Sequence, residues 1–233
     1  MEYVQGLNHM NSLEVIYEDN HIIVVVKPPN ILTQQDNTND IDMLTIVKKY
    51  IKDKYNKPGN VYVGMVQRLD RPVGGLMVFA KTSKAASRMS EMIKKHQFTK
   101  KYLAIITGKL EVKSGELEDY LLKKENGNTI VSKNGKYCKL KYKLLDEKLE
   151  LNLSLIEVEL ITGRHHQIRV QFASRNHALY GDQRYGCSKN KQIALWAYKL
   201  SIIHPVLKKE MTFEKYPSLK DSGWGYFNEY FVK

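Results

Sequence analysis

A run of five β-branched residues, Ile22 to Val26, constrains the fold of this chain more than any other feature. A run of this kind, apolar on both faces, predicts a buried strand. The KPPN stretch at residues 27–30 ends that strand, because proline cannot continue a central β-ladder. Residues 18–21 predict a turn that joins it to an earlier strand at residues 13–17. We therefore expect a hairpin built around one buried strand.

Strands outnumber helices in the rest of the sequence. Apolar residues at helical spacing predict a helix over residues 42–54, and Ser83 is expected to cap a second helix with Ala86, Met89, Ile93 and their neighbours on its inner face. Further strands are predicted at residues 76–80, 101–107, 140–145, 149–162, 193–202 and 211–213. The polar residues 115–137 predict hairpins and a loop. Many strands with few helices indicate an α+β fold rather than a doubly wound sheet.

The charge balance favours a polyanionic partner. Lys and Arg number 37 against 25 Asp and Glu, which gives a formal net charge of +12. The simplest such partner is nucleic acid, although a basic surface can also exist without one. The same two explanations, RNA contact or a solvated edge, apply to the basic loop at residues 123–136.

Cysteine use and hydropathy restrict the class of protein further. Cys138 and Cys187 are far apart and form no CxxC pair, which indicates a reducing compartment, the cytoplasm, without a disulfide framework. No histidine lies beside a pair of cysteines, so the sequence predicts no structural metal site. No apolar run approaches the roughly 18 residues of a membrane helix. Residues 1–12 lack the features of a signal peptide and are interpreted as a flexible leader or an expression remnant.

Asp70 lies between Arg68 and Arg71, before a Pro/Gly turn and an apolar strand. Proline after Arg71 favours extended backbone, and two glycines permit a tight turn, so Asp70 is expected in a rigid, irregular connection. Asp70 could be half of a structural ion pair that caps the turn. It could also be a reactive acid, which a nearby guanidinium keeps ionised as a nucleophile or a base. No Walker-type loop and no dinucleotide GxGxxG motif is present.

Several motifs in one order carry a family resemblance. They are RLDR at residues 68–71, GGLMVFAKT at 74–82, KYLA at 101–104 followed by Gly108, LITGRHHQIR at 160–169, GDQRYG at 181–186, and the late His204-Pro205. Together they resemble the RluA-type pseudouridine synthases over residues 13–217. Two departures occur: Gln67 stands where the family usually has His, and Pro72-Val73-Gly74 replaces its usual Asp-Thr-Ser. Both bear on how the loop meets its target nucleotide.

The resemblance implies a fold and a reaction. The fold is the pseudouridine synthase fold, a mixed, largely antiparallel central sheet flanked by helices and loops around a central active-site cleft. Residues 13–233 are expected to form one catalytic domain without the S4-type RNA-binding domain of many relatives. The implied reaction isomerises specific uridines in structured RNA, ribosomal or transfer RNA, without a cofactor or metal. We further expect a monomer with no obligate protein partner and no membrane association.

The resemblance also implies roles for individual residues. Asp70 would attack the sugar or the base, or deprotonate the sugar, and these alternatives remain open. Arg169 would pair with Asp70 and hold it ionised, while Tyr102 would stack on the uracil and help to move a proton. Arg68 would fill the space that the flipped base leaves. Other expected substrate-binding residues are Gln67, Arg71, Arg164, His166, Gln167 and Ile168, the last as a pocket wall.

The segment after residue 166 allows two structures. Alternation of Ile168, Val170 and Phe172 with polar residues fits a strand, whereas the spacing of Ile168 and Phe172 fits a helix. The family resemblance favours a short helix from about residue 167. His165 and His166 are expected to touch phosphate or to pack, since the reaction already has its carboxylate.

Two other functions remain as alternatives. The chain could be a catalytically silent RNA-binding or ribosome assembly protein on the same fold. It could also be a carboxylate-dependent hydrolase of a nucleoside or sugar, which would need a second acid near Asp70, with Asp182 as the candidate.

Overall fold

The β-branched run forms the buried strand that the sequence predicts. In the computed structural model, which describes residues 13–186 and 191–232, the strand Ile22–Lys27 is buried along its whole length. The turn before it is closed by the Asp19 carboxylate, whose Oδ1 accepts hydrogen bonds from the backbone N–H groups of His21 and Ile22. The leader expected at residues 1–12 and the residue Cys187 lie outside the described residues.

The helices and strands are labelled in chain order. They are β1 (Val15–Glu18), β2 (Ile22–Lys27), α1 (Met43–Lys54), β3 (Gly64–Met65), β4 (Gly74–Ala80), α2 (Ser83–Lys94), β5 (Phe98–Thr107), β6 (Ser114–Lys123), β7 (Thr129–Val131), β8 (Lys136–Lys148), β9 (Leu153–Leu160), α3 (Gln167–Ala173), β10 (Leu195–Ile203), β11 (Glu210–Glu214) and α4 (Asn228–Phe231).

The described chain divides into two compact units. The first comprises residues 13–98 and 199–215. Within it, β2 lies between β1 and β4 and pairs antiparallel with both. β4 also pairs with the short strand β3, and β11 pairs antiparallel with the second part of β10. Strand β4 is buried throughout, so the connection that carries Asp70 leads into the core of this unit.

The second unit comprises the described part of residues 99–198 and residues 216–232. Its strands pair antiparallel in the order β5-β9-β8-β6-β7. Helix α3 covers one face: Val170 packs with Leu121 and Cys138, and the rings of Tyr142 and Phe172 meet edge to face at 5.7 Å. On the other face, the C-terminal segment packs its buried aromatic residues against the sheet.

Both predicted helices of the first unit are confirmed, with a correction to the second. Asp42 caps α1 by accepting the Thr45 N–H at 3.1 Å. The cap of α2 is Thr82, not Ser83, because its hydroxyl accepts the Ala85 N–H at 3.1 Å. On the predicted inner face of α2, Met89 is buried and Ala86 and Ile93 are partly buried, and their neighbours Ala85 and Met92 are buried as well.

One predicted strand is wrong in its first part. Residues 149–162 do not form one strand, because Leu149–Leu151 is a turn of 3-10 helix and Asn152 has a left-handed backbone at φ 52°. Strand β9 begins only after that turn. The predicted α+β class with a mainly antiparallel sheet is confirmed, and so is the short helix from residue 167. The extent of one catalytic domain over 13–233 stays a prediction. Among the helices of the described residues, none is long and apolar enough to cross a membrane.

Candidate active site

The connection from β3 to β4 holds Asp70 on a backbone that is tied down on both sides. Leu69 is buried, and the Thr33 hydroxyl donates to its carbonyl at 2.8 Å and accepts its N–H at 3.2 Å. Gln67 is also buried, and its amide donates to the carbonyl of Leu76 at 3.1 Å. The Val73 N–H closes a turn onto the carbonyl of Asp70 at 3.0 Å. The carboxylate therefore projects from a fixed loop, as the sequence predicts.

Lys27 is the residue that fixes the far side of this loop. Its buried ammonium donates three hydrogen bonds to backbone carbonyls, those of Pro28 and Arg71 at 2.9 Å and that of Val73 at 2.7 Å. Burial lowers the pKa of Lys27 to about 7, and the negative charge of Asp70 acts in the opposite direction. Lys27 thus places a buried amine, whose charge interacts with that of Asp70, near the candidate catalytic acid.

The two arginines beside Asp70 in sequence have different surroundings. Arg71 forms its ion pair with Asp40, at 2.7 Å between Nη1 and Oδ2, and both side chains are about half exposed at 46%. The backbone of Arg71 is also held in place, because its carbonyl accepts the N–H of Asn30. Arg68 is exposed. An exposed guanidinium next to a fixed acid suits a side chain that contacts a large substrate.

Arg169 lies on α3 in the second unit and is held by Asp182. Its Nε and Nη2 each donate to one oxygen of the Asp182 carboxylate at 2.8 Å, and both side chains are buried. Oδ1 of Asp182 also accepts the backbone N–H groups of Arg184 and Tyr185. Although burial alone would raise it, the pKa of Asp182 is lowered by the bonds from Arg169. Asp182 is therefore ionised, and both of its oxygens accept hydrogen bonds.

Tyr185 contacts the same arginine and links it to two histidine rings. The Arg169 guanidinium lies over the Tyr185 ring, 5.2 Å from its centroid. The Tyr185 hydroxyl accepts the N–H of Thr129 at 2.9 Å and is 2.7 Å from Nδ1 of His166. His166 stacks on His165 at 3.7 Å between ring centroids. The two histidines thus pack and bond within the protein, which is one of the two alternatives expected for them. Contact with phosphate is the other.

Tyr102 is placed on the sheet face that α3 covers. Tyr102 of β5 pairs with Val158 of β9, and Val158 pairs on its other side with Tyr142 of β8. The Tyr142 ring contacts Phe172 of α3. Side chains directly opposite one another in neighbouring strands lie on the same face. Tyr102 and Ile168 are both buried, with 5% and 4% of their surface exposed. The second unit therefore gathers Tyr102, Ile168 and Arg169 on one side of its sheet.

The sequence matches the RNA pseudouridylate synthase family over residues 21–174. The chain belongs to this family. The resemblance predicted from the motifs is thereby confirmed. An uncharacterized RNA pseudouridine synthase of Bacillus subtilis, YhcT, is 34% identical over 201 residues, which cover 84% of this chain and 65% of that protein. The ribosomal large subunit pseudouridine synthase D of Zymomonas mobilis is 30% identical over 218 residues, which cover 87% of this chain and 68% of that protein.

The fold agrees with this family. The structure resembles human RNA pseudouridylate synthase domain containing 4, with a TM-score of 0.76 at 20% identity and coverage of 93% of this chain and 94% of that one. Human RNA pseudouridylate synthase domain containing 1 gives a TM-score of 0.72 at 19% identity, over 90% of this chain and 85% of that one. The chain spans about two thirds of the length of the curated relatives named above, 65% and 68%.

In this member of the pseudouridylate synthase family, two expected contact residues bond within the protein. The Gln167 amide oxygen accepts the Arg164 N–H and the Thr162 hydroxyl, each at 2.9 Å. Its nitrogen donates to the carbonyl of Lys139 and to Gln171. Arg164 is exposed and donates from Nε to the carbonyl of Tyr137. The contacts of both residues with RNA stay predictions.

Lys27 and Asp182 are not among the catalytic or substrate-binding residues that the sequence predicts. The sequence predicts Lys27 only as the end of a strand, and Asp182 only as part of a motif or as a hydrolytic acid. A lysine directly after five apolar residues is a usable signal, because its ammonium must find acceptors where the strand ends. The pairing of Asp182 with Arg169 joins two motifs that are separate in sequence.

Proposed function

We propose that this chain is an RNA pseudouridine synthase that isomerises specific uridines in structured RNA, with Asp70 as its catalytic carboxylate and no cofactor. One observation carries the proposal beyond family membership. Asp70 lies in a loop whose backbone is fixed by Thr33, by Gln67 and by the buried ammonium of Lys27. A reactive group that is held still before the substrate arrives loses little freedom in the reaction.

The proposed reaction exchanges one glycosidic bond for another. The bond from the sugar C1′ to the uracil N1 breaks, and a bond from C1′ to C5 forms. The C5 hydrogen leaves as a proton, and N1 gains a proton, so nothing is oxidised or hydrolysed. Asp70 would attack the sugar or the base, or take a proton from the sugar, and each of these roles requires an ionised carboxylate.

Arg169 and Tyr102 are assigned the supporting roles. Asp182 takes the hydrogens of Nε and one side of Nη2, and Nη1 lies at the other end of the Arg169 guanidinium. We assign the pairing with Asp70 to that end. Tyr102 is assigned the stack on the uracil, an interaction worth roughly 1–3 kcal/mol for a base on an aromatic ring.

The basic charge of the chain supports RNA as the substrate. With a net charge of +12, phosphate contacts would supply much of the affinity. The exposed Arg68 is assigned the place that the flipped nucleotide leaves, since a planar cation can replace lost stacking. Ribosomal RNA is the first candidate, because one relative is named for the ribosomal large subunit, and transfer RNA is the second. We also propose that the chain acts as a monomer in the cytoplasm.

The hydrolase alternative receives no support from the second acid. Asp182 is fully buried, and four donors occupy its carboxylate: two from Arg169 and the backbone N–H groups of Arg184 and Tyr185. A hydrolytic general acid or base needs a free oxygen facing water or substrate.

Pseudouridine mapping identifies the substrate and tests the proposal. Ribosomal and transfer RNA are compared between wild-type cells, a deletion strain, and the deletion strain carrying either the wild-type gene or Asp70→Asn. We expect one or more sites to disappear in the deletion and to return only with the wild-type gene. An unchanged set of sites would instead support a catalytically silent RNA-binding protein, and free uracil released from RNA in vitro would support hydrolysis.

A further inference from the structure

We propose that Asp182 and Tyr185 are positioning residues, which fix the orientation of the Arg169 guanidinium for the reaction. The inference rests on the proposed function, because it concerns how Arg169 is presented to the catalytic carboxylate. Neither residue would touch the substrate in this role. Both would act through Arg169.

Asp182 fixes the orientation of the Arg169 guanidinium within the plane of the guanidinium group. Two parallel hydrogen bonds of 2.8 Å, from Nε to Oδ2 and from Nη2 to Oδ1, leave the guanidinium no rotation about its long axis. The carboxylate is itself immobile, because its Oδ1 also accepts the N–H groups of Arg184 at 2.9 Å and Tyr185 at 3.1 Å. The direction of the Nη1 end is therefore set by the backbone of residues 182–185.

Tyr185 fixes the guanidinium from its face. The ring centroid is 5.2 Å from the central carbon of Arg169, a distance typical of a cation over an aromatic ring. The ring is anchored at its hydroxyl, which is 2.9 Å from the Thr129 nitrogen and 2.7 Å from Nδ1 of His166. Thr129 is buried and also touches His165 through its hydroxyl. A tilt of the guanidinium would therefore require the ring to move.

Stability alone does not account for this arrangement. Two charges taken out of water cost solvation, and apolar residues of similar volume often serve a core equally well. The Asp182 carboxylate also compensates the charge of Arg169, so the guanidinium can stay buried. Orientation is the property that an apolar replacement would not supply.

A double-mutant cycle tests the role of Asp182. The variants Asp182→Asn, Arg169→Ala and the double variant are compared by single-turnover tritium release from RNA labelled with uridine tritiated at C5. The transcript is large-subunit ribosomal RNA or transfer RNA, whichever the wild-type chain modifies. Asp182→Asn should lower the rate on the order of 100-fold, as expected for a misplaced catalytic group, with RNA affinity unchanged. In the Arg169→Ala background it should change the rate by no more than about twofold.

The control is a second Arg–Asp pair in the same unit. Asp119 accepts hydrogen bonds from Arg175 Nη1 and Nη2 at 2.8 and 3.2 Å, and Asp119→Asn should leave the rate at the wild-type value. Rate losses of Asp182→Asn and Arg169→Ala that multiply in the double variant would overturn the inference, as would a wild-type rate for Asp182→Asn. If the wild-type chain releases no tritium from either RNA, the proposed function fails first.

Tyr185 provides a second test if Asp182→Asn does not fold. Tyr185→Leu removes the aromatic face, and Tyr185→Phe keeps it. We expect a roughly tenfold lower single-turnover rate for Tyr185→Leu, a smaller loss for Tyr185→Phe, and the same RNA affinity for both. Circular dichroism establishes that each variant is folded. Equal rates for the two variants would contradict a role for the ring face.

Discussion

The ammonium of Lys27 donates a hydrogen bond of 2.7 Å to the carbonyl of Val73, and so ties the end of β2 to the loop that carries Asp70. The same ammonium reaches the carbonyl of Arg71 at 2.9 Å. These two carbonyls lie on the C-terminal side of Asp70, where the chain turns into β4. A single buried side chain thus holds the backbone next to the proposed catalytic acid.

Replacing Lys27 should loosen this loop. In Lys27→Met, three carbonyls lose the Lys27 donor, although that of Arg71 keeps the Asn30 N–H. An acceptor left unsatisfied in a buried position costs about 1–3 kcal/mol, and removal of a buried charge offsets part of this. We expect a loss on the order of 3 kcal/mol in the free energy of unfolding, measured in urea. Hydrogen exchange should quicken at the Val73 and Asn30 amides. The exposed Lys84→Met is the matched control, and equal behaviour of the two variants would show that Lys27 does not hold the loop.

Glu18 should make the first unit sensitive to acid. Its carboxylate bonds to Lys54, Lys81 and Tyr55, and although burial opposes this, these partners lower its pKa to about 2 from the model-compound value of 4.5. A carboxylate with a depressed pKa stabilises the folded state above its unfolded pKa and loses that contribution as the pH falls. The advantage of the wild type over Glu18→Gln should therefore shrink by about 2 kcal/mol between about pH 6 and pH 3.

The control for this prediction is an exposed acid. Asp53 pairs with Lys49 on the surface of α1, where such pairs contribute about 0.5 kcal/mol or less. Asp53→Asn should show almost no pH-dependent difference from the wild type in urea unfolding. A constant gap between wild type and Glu18→Gln across this pH range would contradict the assigned ionisation of Glu18.

Arg68 should affect turnover more than binding. If the Arg68 guanidinium takes the place of the flipped base, Arg68→Ala should lower the single-turnover rate roughly tenfold, because no side chain would then replace that base in the RNA stack. RNA affinity in a filter-binding assay should stay within about twofold of the wild type, since phosphate contacts supply most of it. Arg88→Ala, a loss of the same charge on the exposed side of α2, is the control. Equal rates for wild type and Arg68→Ala would count against the assigned role.

The elements that the sequence predicts correctly are those with strong local signals. Five β-branched residues before two prolines define β2, and Asp42 before an apolar helical pattern defines α1. The loop around Asp70 is also predictable, because proline and glycine restrict its backbone directly. Only the family resemblance decides between helix and strand after residue 166, since both patterns are present there.

The features that the sequence does not predict depend on contacts or on small differences. Thr82 and Ser83 are equally good caps, and only the backbone at residue 82 decides which hydroxyl accepts the Ala85 N–H. The break at residues 149–151 replaces an apolar pattern that fits a strand equally well. The partner of Arg169 cannot be chosen from composition, because any acid brought near by the fold would serve. Lys27 likewise requires knowledge of which carbonyls meet its ammonium.

The most direct test of the account is tritium release by Asp70→Asn. The variant keeps the size of the side chain and removes its charge, so the loop and the RNA-binding surface should stay intact. With RNA labelled at uridine C5, the wild type should release tritium and form pseudouridine. Asp70→Asn should bind the same RNA with unchanged affinity and release none above background. Turnover by Asp70→Asn near the wild-type rate would contradict the central claim that this carboxylate carries the reaction.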